Sequence, residues 1–146
     1  MADVATAARR VLIADDHALI RLSLRGDLEA AGFSVCAEAA TGAEALEAAL
    51  RERPELCLLD VHMPEGGGID AAAAIKGELP RTKILLITAE PTADDALAAA
   101  RAGADGYIDK AISPSRLPQV VAAVLAGESA YPRRLVASIL GRLLAA

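Results

Sequence analysis

The sequence predicts an α/β protein whose open, doubly wound parallel sheet carries helices on both faces. Short apolar runs alternate five times with longer stretches in which apolar residues recur at helical spacing. This alternation is typical of parallel strands joined by right-handed helical crossovers. Three of the apolar runs also lead directly into acidic residues. The acids are therefore expected at the carboxyl edge of the sheet, where ligands bind in open α/β folds.

Composition favours one tightly packed domain. The chain has 146 residues, of which 54% are hydrophobic but only 2% aromatic, so the core must be built from small and branched aliphatic side chains. The formal net charge of −5 gives no support for direct nucleic-acid binding by this segment, because phosphate contacts require clustered Lys and Arg.

The two cysteines and the apolar runs indicate a cytoplasmic protein with no membrane partner. Cys36 and Cys57 lie within apolar runs and suit a reducing compartment better than a disulfide scaffold. The first ten residues lack the apolar centre of a signal peptide, and no apolar run is long enough to cross a membrane.

Local signals set the expected elements. Thr41 and Glu44 form a capping-box signature, Thr92 begins a second one, and Ser113 before Pro114 predicts a third helix start. The strands are predicted at Arg10–Ala14, Phe33–Glu38, Leu56–Leu59, Lys83–Ile87 and Gly106–Ile108. The helices are predicted at His17–Ala31, Thr41–Arg53, Ile69–Gly77, Thr92–Gly103 and Ser113–Gly127.

The predicted organisation has three parts: a flexible N-terminus at 1–9, a domain at 10–127 and a further segment at 128–146. The last segment predicts one more helix, which the five βα units do not require. One face of this helix carries an apolar stripe, which comprises Leu135, Ile139, Leu140, Leu143 and Leu144. The stripe indicates that the helix packs against a partner surface that the five βα units do not supply.

Five polar residues follow the predicted strands, namely Asp15, Asp16, Asp60, Thr88 and Lys110. Two carboxylates about 4 Å apart repel by roughly 4 kcal/mol at an effective dielectric constant near 20, so the acids need cations beside them. Lys110 supplies one positive charge, and Mg²⁺ is the divalent ion that suits oxygen ligands and retained waters. A carboxylate beside Mg²⁺ can attack a phosphorus atom and form an aspartyl phosphate.

In order along the chain, four motifs together resemble the receiver domain of two-component response regulators. They are Val11–His17, Leu58–Pro64 with Gly68, Ile87–Ala89 and Gly103–Lys110. The Asp15-Asp16-His17 opening and the Gly106–Lys110 ending are most similar to the NarL/LuxR-type subgroup.

This resemblance implies a receiver (flavodoxin-like) fold with strand order 2-1-3-4-5 and a site between strands one and three. It implies that Asp60 is the phosphoacceptor and that Mg²⁺ or Mn²⁺ is the cofactor. Asp16, Asp60 and the backbone carbonyl of His62 would be direct metal ligands, and Asp15 would act through bound water.

The resemblance also assigns roles around the phosphoryl group. Thr88, Lys110 and the backbone of Ala89 would bind it, and Thr88 and Tyr107 would form the conformational switch, with the Tyr107 ring moving inward. From their places beside the site, we expect the side chains of His62 and Glu90 to tune dephosphorylation.

The implied partner is a sensor histidine kinase, and the implied output is transcription through a helix-turn-helix domain not contained in this chain. Residues 128–146 resemble the start of the linker to such a domain. The implied homodimer faces are helix 4/strand 5/helix 5 and helix 1/helix 5. The protein would not be an enzyme beyond its own phosphorylation and slow autodephosphorylation.

The chain departs from many receivers at two positions. Ala111 stands where proline commonly follows the lysine, so the conformation of the Lys110–Ala111 peptide bond is open. The loop at 66–68 consists of three glycines, which predicts mobility.

Alternative functions are weaker. A phosphorylation-independent interaction module with a decayed site is disfavoured by the intact acids, Thr88 and Lys110. A flavin-binding domain would need a phosphate-cradling loop after the first strand, where this chain has two acids. An aspartate-dependent phosphatase would need a second acid at the position of His62.

Overall fold

The computed structural model describes residues 8–145, so most of the predicted N-terminal part at 1–9 lies outside the described residues. Within that range, no helix combines the length and apolarity that a membrane crossing requires. The elements are β1 (Arg10–Ala14), α1 (Ala18–Ala30), β2 (Ser34–Ala39), α2 (Gly42–Glu52), β3 (Leu56–Asp60), α3 (Gly68–Glu78), β4 (Lys83–Thr88), α4 (Ala93–Arg101), β5 (Gly106–Asp109), α5 (Arg116–Leu125) and α6 (Arg133–Ala145).

All five strands form one parallel sheet in the order β2-β1-β3-β4-β5, which confirms the predicted fold. Strand β1 lies between β2 and β3, with Leu12 opposite Cys57. Cys36 on β2 and Cys57 on β3 are therefore separated by a whole strand, and both are free thiols.

The core has one layer on each face of the sheet. One layer joins Leu12, Cys57, Leu59 and Leu86 to α2, α3 and α4. The other joins Ile13, Leu58 and Ile87 to α1 and α5, mainly through Leu28, Leu117, Val121 and Val124. Buried alanines on α2, α3 and α4 allow these helices to lie close to the sheet, which explains a compact core with few aromatic side chains.

Side-chain caps fix the starts of α2 and α4 as predicted. Thr41 Oγ1 accepts a hydrogen bond from Glu44 N at 3.0 Å, and Glu44 Oε1 accepts one from Ala40 N at 2.9 Å. At α4, Thr92 Oγ1 accepts from Asp95 N at 3.1 Å. These bonds satisfy backbone donors that have no partner inside the helix.

The predicted start of α5 is wrong by two to three residues. Ser113 does not cap the helix with its side chain; its carbonyl accepts hydrogen bonds from Arg116 N at 3.0 Å and Leu117 N at 3.1 Å, and the regular helix begins at Arg116. Pro118 explains the delay, because it has no N–H to donate to the carbonyl of Pro114.

The C-terminal helix α6 packs against α4 rather than standing free. Ile139 is buried in the core layer on that side, and Leu135 packs against the same layer. Leu140, Leu143 and Leu144 remain exposed. The prediction of an unsatisfied stripe is therefore right only for its outer part, because the five βα units do supply a surface for its inner part.

The loop after β3 contacts the start of α2 and the end of β3. Gly42 N donates to the carbonyl of Pro64 at 3.3 Å, and Ala43 N donates to that of Glu65 at 3.1 Å. A Cβ on Gly42 would lie 1.8 Å from the carbonyl oxygen of Gly66, and one on Gly68 would lie 2.1 Å from that of Asp60. These glycines allow the N-terminus of α2 and the start of α3 to approach the loop.

This packing predicts opposite effects for two glycine substitutions in helices. Gly42→Ala should lower the free energy of unfolding by about 2 kcal/mol, because its Cβ would collide with backbone. Gly26→Ala on α1 is the matched control; it meets nothing within 4 Å and should raise the free energy of unfolding by up to about 1 kcal/mol. Urea unfolding measures both, and equal effects would contradict the close contact at Gly42.

Candidate functional site

The carboxyl ends of four neighbouring strands bring the predicted site residues to one edge of the sheet. Backbone hydrogen bonds fix these ends: Lys110 N donates to the carbonyl of Thr88 at 2.8 Å, and Val61 N donates to that of Ile87 at 2.9 Å. Asp15 N likewise donates to the carbonyl of Ala39 at 3.0 Å. The side chains at this edge are therefore positioned by the sheet itself.

Lys110 joins the acids of β1 and β3. Its Nζ lies 2.7 Å from Asp15 Oδ2 and 3.1 Å from Asp60 Oδ2. Asp15 is fully buried and Asp60 is only 3% exposed, so neither carboxylate can rely on bulk water for its stabilisation. One ammonium group thus offsets two buried negative charges.

The charge balance is visible in the directions of the pKa shifts. Burial, and then the charge of Asp15, raise the pKa of Asp60, although Lys110 opposes this effect. Burial by itself lowers the pKa of Lys110, but its contacts with Asp15 and Asp60 outweigh burial, so its pKa lies above the usual value. The site therefore holds one carboxylate in excess of its positive charge.

The remaining oxygens of the two buried acids bind nearby backbone. Asp15 Oδ1 accepts a hydrogen bond from His17 N at 2.9 Å, and Asp60 Oδ1 accepts one from His62 N at 3.3 Å. Among the residues at 8–145, the close cation of Asp15 Oδ2 is the Lys110 ammonium.

Three ligand atoms gather at the end of β1, where those of Asp15, Asp16 and His17 all lie within 4.8 Å of one another. His17 Nδ1 is 3.0 Å from Asp16 Oδ1. Together with the Asp60 carboxylate, which the shared Lys110 contact brings to the same place, this is an oxygen-rich donor set of the kind Mg²⁺ prefers. The residues present therefore fit the metal that the sequence implies.

The other predicted site residues lie around this centre. Thr88 is fully buried, and its Oγ1 accepts a hydrogen bond from Glu90 N at 3.3 Å. His62 is an exposed loop residue whose Nε2 lies 3.9 Å from Asp95 Oδ2. Ala89 and Glu90 are exposed beyond the end of β4.

Tyr107 is fully buried, and its phenol oxygen accepts a hydrogen bond from Thr92 N at 2.9 Å. Burial raises the pKa of this phenol. The ring thus already lies inside the fold here, and its movement upon phosphorylation stays a prediction. Sequence reasoning identified Thr92 only as a helix cap and missed that it anchors Tyr107.

A second contact that the sequence did not predict supports the backbone of Asp15 at the end of β1. Arg21 Nη1 on α1 donates to the backbone carbonyl of Asp15 at 2.7 Å, and Arg21 Nε bonds Glu38 Oε1 at 3.2 Å. The position of Arg21 in the sequence did not indicate that its side chain would bind the Asp15 carbonyl. The described residues contain no cis peptide bond, so the Lys110–Ala111 bond, left open by the sequence, is trans.

A five-stranded parallel sheet with buried acids and a bridging lysine at its carboxyl edge is the arrangement of a signal-receiver domain. The family model for the response regulator receiver domain matches residues 11–122, and the chain belongs to this family. It is the receiver domain of a two-component response regulator.

Curated relatives agree with this assignment. A putative transcriptional regulator of Pseudomonas aeruginosa is 38% identical over 130 residues, which cover 89% of this chain and 63% of that protein. Chemotaxis protein CheY of Thermotoga maritima is 36% identical over 113 residues, covering 77% of this chain and 94% of that protein. The chain spans about three fifths of the length of the first two transcriptional regulators it matches.

Solved structures include members of the LuxR and NarL groups. A two-component response regulator of the LuxR family from Aurantimonas sp. SI85-9A1 superposes with a TM-score of 0.84 at 32% identity, covering 94% of this chain and 99% of that chain. The signal receiver domain of the putative response regulator NarL from Mycobacterium tuberculosis gives 0.79 at 33% identity, covering 83% and 98%.

The excess carboxylate predicts that Asp60→Asn stabilises the fold at neutral pH. Because the pKa of Asp60 is raised by folding, its ionisation disfavours the native state, and this penalty appears as pH rises above the unfolded value of about 4. We expect a gain of roughly 1 kcal/mol at pH 7 that disappears near pH 3.

Unfolding at the two pH values measures this effect. Asp70→Asn, an exposed acid on α3, is the matched control and should change stability little at either pH. A loss of stability in Asp60→Asn at pH 7 would contradict this prediction. It would show that the attraction between Lys110 and Asp60 outweighs the burial of the Asp60 carboxylate and its repulsion by Asp15.

Proposed function

We propose that this receiver accepts a phosphoryl group on Asp60 from a sensor histidine kinase, with Mg²⁺ as cofactor, and changes conformation to control an output. The observation that carries the proposal is the Lys110 ammonium held between the carboxylates of Asp15 and Asp60. A buried carboxylate with a raised pKa and a cation at hydrogen-bonding distance is suited to nucleophilic attack on phosphorus, provided that a second cation joins it.

The proposed metal ligands are the carboxylates of Asp16 and Asp60 and the backbone carbonyl of His62, with Asp15 acting through bound water. The ion, Mg²⁺ or Mn²⁺, supplies charge neutralisation at the phosphoryl oxygens. The donor cluster of Asp15, Asp16 and His17 supports a cation at this place.

The proposed phosphoryl-binding groups are the Lys110 ammonium, the Thr88 hydroxyl and the backbone N–H of Ala89. Lys110 already contacts Asp60, so it is poised to bind an oxygen of a group attached there. Thr88 ends the strand next to β3, and its hydroxyl hydrogen is free to donate because its oxygen accepts the bond from Glu90 N. Reorientation of Thr88 and Tyr107 is the proposed switch.

The proposed output is transcription, through a helix-turn-helix DNA-binding domain not contained in this chain. Relatives named as transcriptional regulators are longer than the matched region, which is compatible with such a domain. The proposed receiver comprises residues 10–127, which include the family match at 11–122, and the proposed linker comprises residues 128–146. The proposed location is the cytoplasm. This segment has no proposed contact with DNA or membrane, and its proposed chemistry is limited to self-phosphorylation and slow autodephosphorylation.

Of the two homodimer faces considered, the one formed by α1 and α5 is better supported. Leu19 and Leu22 on α1 are 79% and 65% exposed, although their spacing is that of an amphipathic helix. The face formed by α4, β5 and α5 is partly occupied by the chain's own α6, which packs against α4 through Ile139. We therefore propose the α1/α5 face for the homodimer.

The proposed function predicts one phosphoryl adduct after incubation with Mg²⁺ and acetyl phosphate, detected by intact mass. Asp60→Asn should carry none, because the nucleophile is gone, and a chelator should abolish the adduct in the native sequence. Asp70→Asn, which removes an exposed acid outside the site, should be modified like the native sequence.

No adduct under any condition would reject the phosphorylation proposal and favour the phosphorylation-independent interaction module. An adduct that persists in Asp60→Asn would instead assign the phosphoacceptor to another residue. The mass of proteolytic fragments would then locate it.

We also predict that the side chains of His62 and Glu90 set the lifetime of the phosphoryl group. Both are exposed beside the strand ends, where water must approach Asp60. His62→Ala and Glu90→Ala should each change the dephosphorylation rate by at least about threefold, because the position of an attacking water governs its reactivity. The decay of the adduct mass measures this rate, and unchanged decay in both variants would reject the role.

A further inference from the structure

A pocket of about 510 Å³ lies at the amino edge of the sheet, opposite to the edge that carries Asp60. Its walls are the residues that precede β1, β3 and β4, the end of α3 and the end of α5. The strands are parallel, so the two edges are separated by roughly 17 Å, the length of a five-residue strand such as β3. The function proposed above does not use this pocket.

Four cations line the pocket, although the chain as a whole has a formal net charge of −5. They are Arg9, Arg53, Arg81 and Lys83, and we refer to the pocket as the basic pocket. Arg9 and Lys83 each lie within 4.0 Å of a carboxylate oxygen. Arg53 and Arg81 are exposed and form no ion pair with the residues at 8–145. Two guanidinium groups are therefore available to an anionic ligand.

Hydrogen bonds between the surrounding loops hold the basic pocket in shape. The buried Thr82 hydroxyl donates to the carbonyl of Pro54 at 3.0 Å. Lys83 N donates to the carbonyl of Glu55 at 3.0 Å, and Glu55 N donates to that of Arg10 at 2.9 Å. These bonds join the starts of β1, β3 and β4. The pocket is therefore formed before any ligand arrives, as is usual for small-molecule sites.

The backbone of Arg53 adopts a conformation that does not suit an arginine. This residue ends α2 with φ at 48°, in the left-handed region. Glycine is the residue that commonly occupies this conformation after a helix, because it has no Cβ. An arginine here costs stability that a glycine would not, which favours a functional role for its side chain.

The remaining lining residues indicate what kind of anion would fit. Leu79 and Leu125 give the basic pocket apolar surface, which inorganic phosphate cannot use. The exposed carboxylate of Glu78 can accept a hydrogen bond from an amino group. Cations, apolar surface and an acceptor together match a ligand that has a polyphosphate, an apolar ring and an amino group.

We propose that the basic pocket binds a nucleoside polyphosphate. Arg53 and Arg81 bind the phosphate oxygens through paired N–H groups. Leu79 and Leu125 contact the base, and Glu78 accepts a hydrogen bond from its amino group. The cavity volume lies in the range of pockets that hold small organic ligands. The proposal does not depend on phosphorylation of this protein.

A ¹⁵N NMR titration of the full chain with ATP and, separately, with GTP tests the proposal. A chelator keeps Mg²⁺ away from the acids at the other edge of the sheet. At least one nucleotide should cause saturable shifts at the amides of Glu55, Thr82 and Lys83. No saturable shift at these amides with millimolar concentrations of either nucleotide overturns the proposal.

Inorganic triphosphate is the matched probe for charge alone. It should bind at least about fivefold more weakly than the better nucleotide, because it buries no apolar surface in the pocket. Equal binding of triphosphate and nucleotide would show a site for phosphate charge only and would overturn the nucleoside assignment.

Two variants test the arginines. Arg53→Gly and Arg81→Gln should each weaken nucleotide binding at least about threefold, because each removes a charge from the phosphate site. Arg101→Gln is the matched control, since it changes an exposed cation at the end of α4 that does not line the pocket. Unchanged affinity in both pocket variants, or an equal loss in the control, overturns the proposal.

Urea unfolding separates ligand binding from a structural role of Arg53. Without nucleotide, Arg53→Gly should be at least as stable as the native sequence, because glycine adopts the left-handed conformation without strain. Weaker binding with undiminished stability supports the proposal. Lower stability with unchanged nucleotide affinity would assign the side chain to the fold and overturn its role at the ligand.

Discussion

The bridge from Lys110 to Asp15 and Asp60 is the interaction on which the rest of this molecule depends. One ammonium group does not fully offset the burial of two carboxylates at the ends of β1 and β3. Burial and the neighbouring charge of Asp15 therefore raise the pKa of Asp60. The fold tolerates this excess because the sheet fixes both strand ends with backbone hydrogen bonds, while Asp15 and Asp60 also accept bonds from the backbone of His17 and His62. A site that is left short of positive charge is prepared to bind a cation and then a phosphoryl group.

The sheet order was predicted only through the resemblance to receiver domains, whereas the acids at the edge of the sheet follow from short-range patterns. Parallel strands end at one edge, so any residue directly after a strand, such as Asp60 or Thr88, is placed once the strand is recognised. Capping chemistry worked equally well at Thr41 and Thr92, where the relevant hydrogen bonds span three residues. The same reasoning failed at Ser113, because the missing N–H of Pro118 acts from outside the window that a cap signature covers.

Contacts between distant parts of the chain were beyond sequence reasoning. The support of Asp15 by Arg21 depends on the angle at which α1 leaves β1, and the bond from Thr92 to Tyr107 depends on how α4 lies over β5. For the three glycines after β3 the sequence predicted mobility. It did not reveal that a Cβ on Gly67 or Gly68 would meet the carbonyl oxygen of Val61 or Asp60, or that one on Gly42 of α2 would meet that of Gly66. The apolar stripe of α6 was recognised, but two of its five residues, Leu135 and Ile139, already pack against the core layer that includes α4. Periodicity reports which face is apolar and does not report what covers it.

The position of α6 connects these observations to regulation. A receiver can signal only if some surface differs between its two states by contacts that distinguish them. In this chain the face formed by α4 and β5 is bound by residues of the same polypeptide through a backbone bridge at Ala130, a buried Ile139 and an ion pair at Arg142. Tyr107 takes part in that contact with its backbone and in the start of α4 with its phenol. One buried residue thus joins the edge of the sheet to the loop that ends beside Thr88. A rearrangement of the loop would therefore act on the contacts that hold the C-terminal helix.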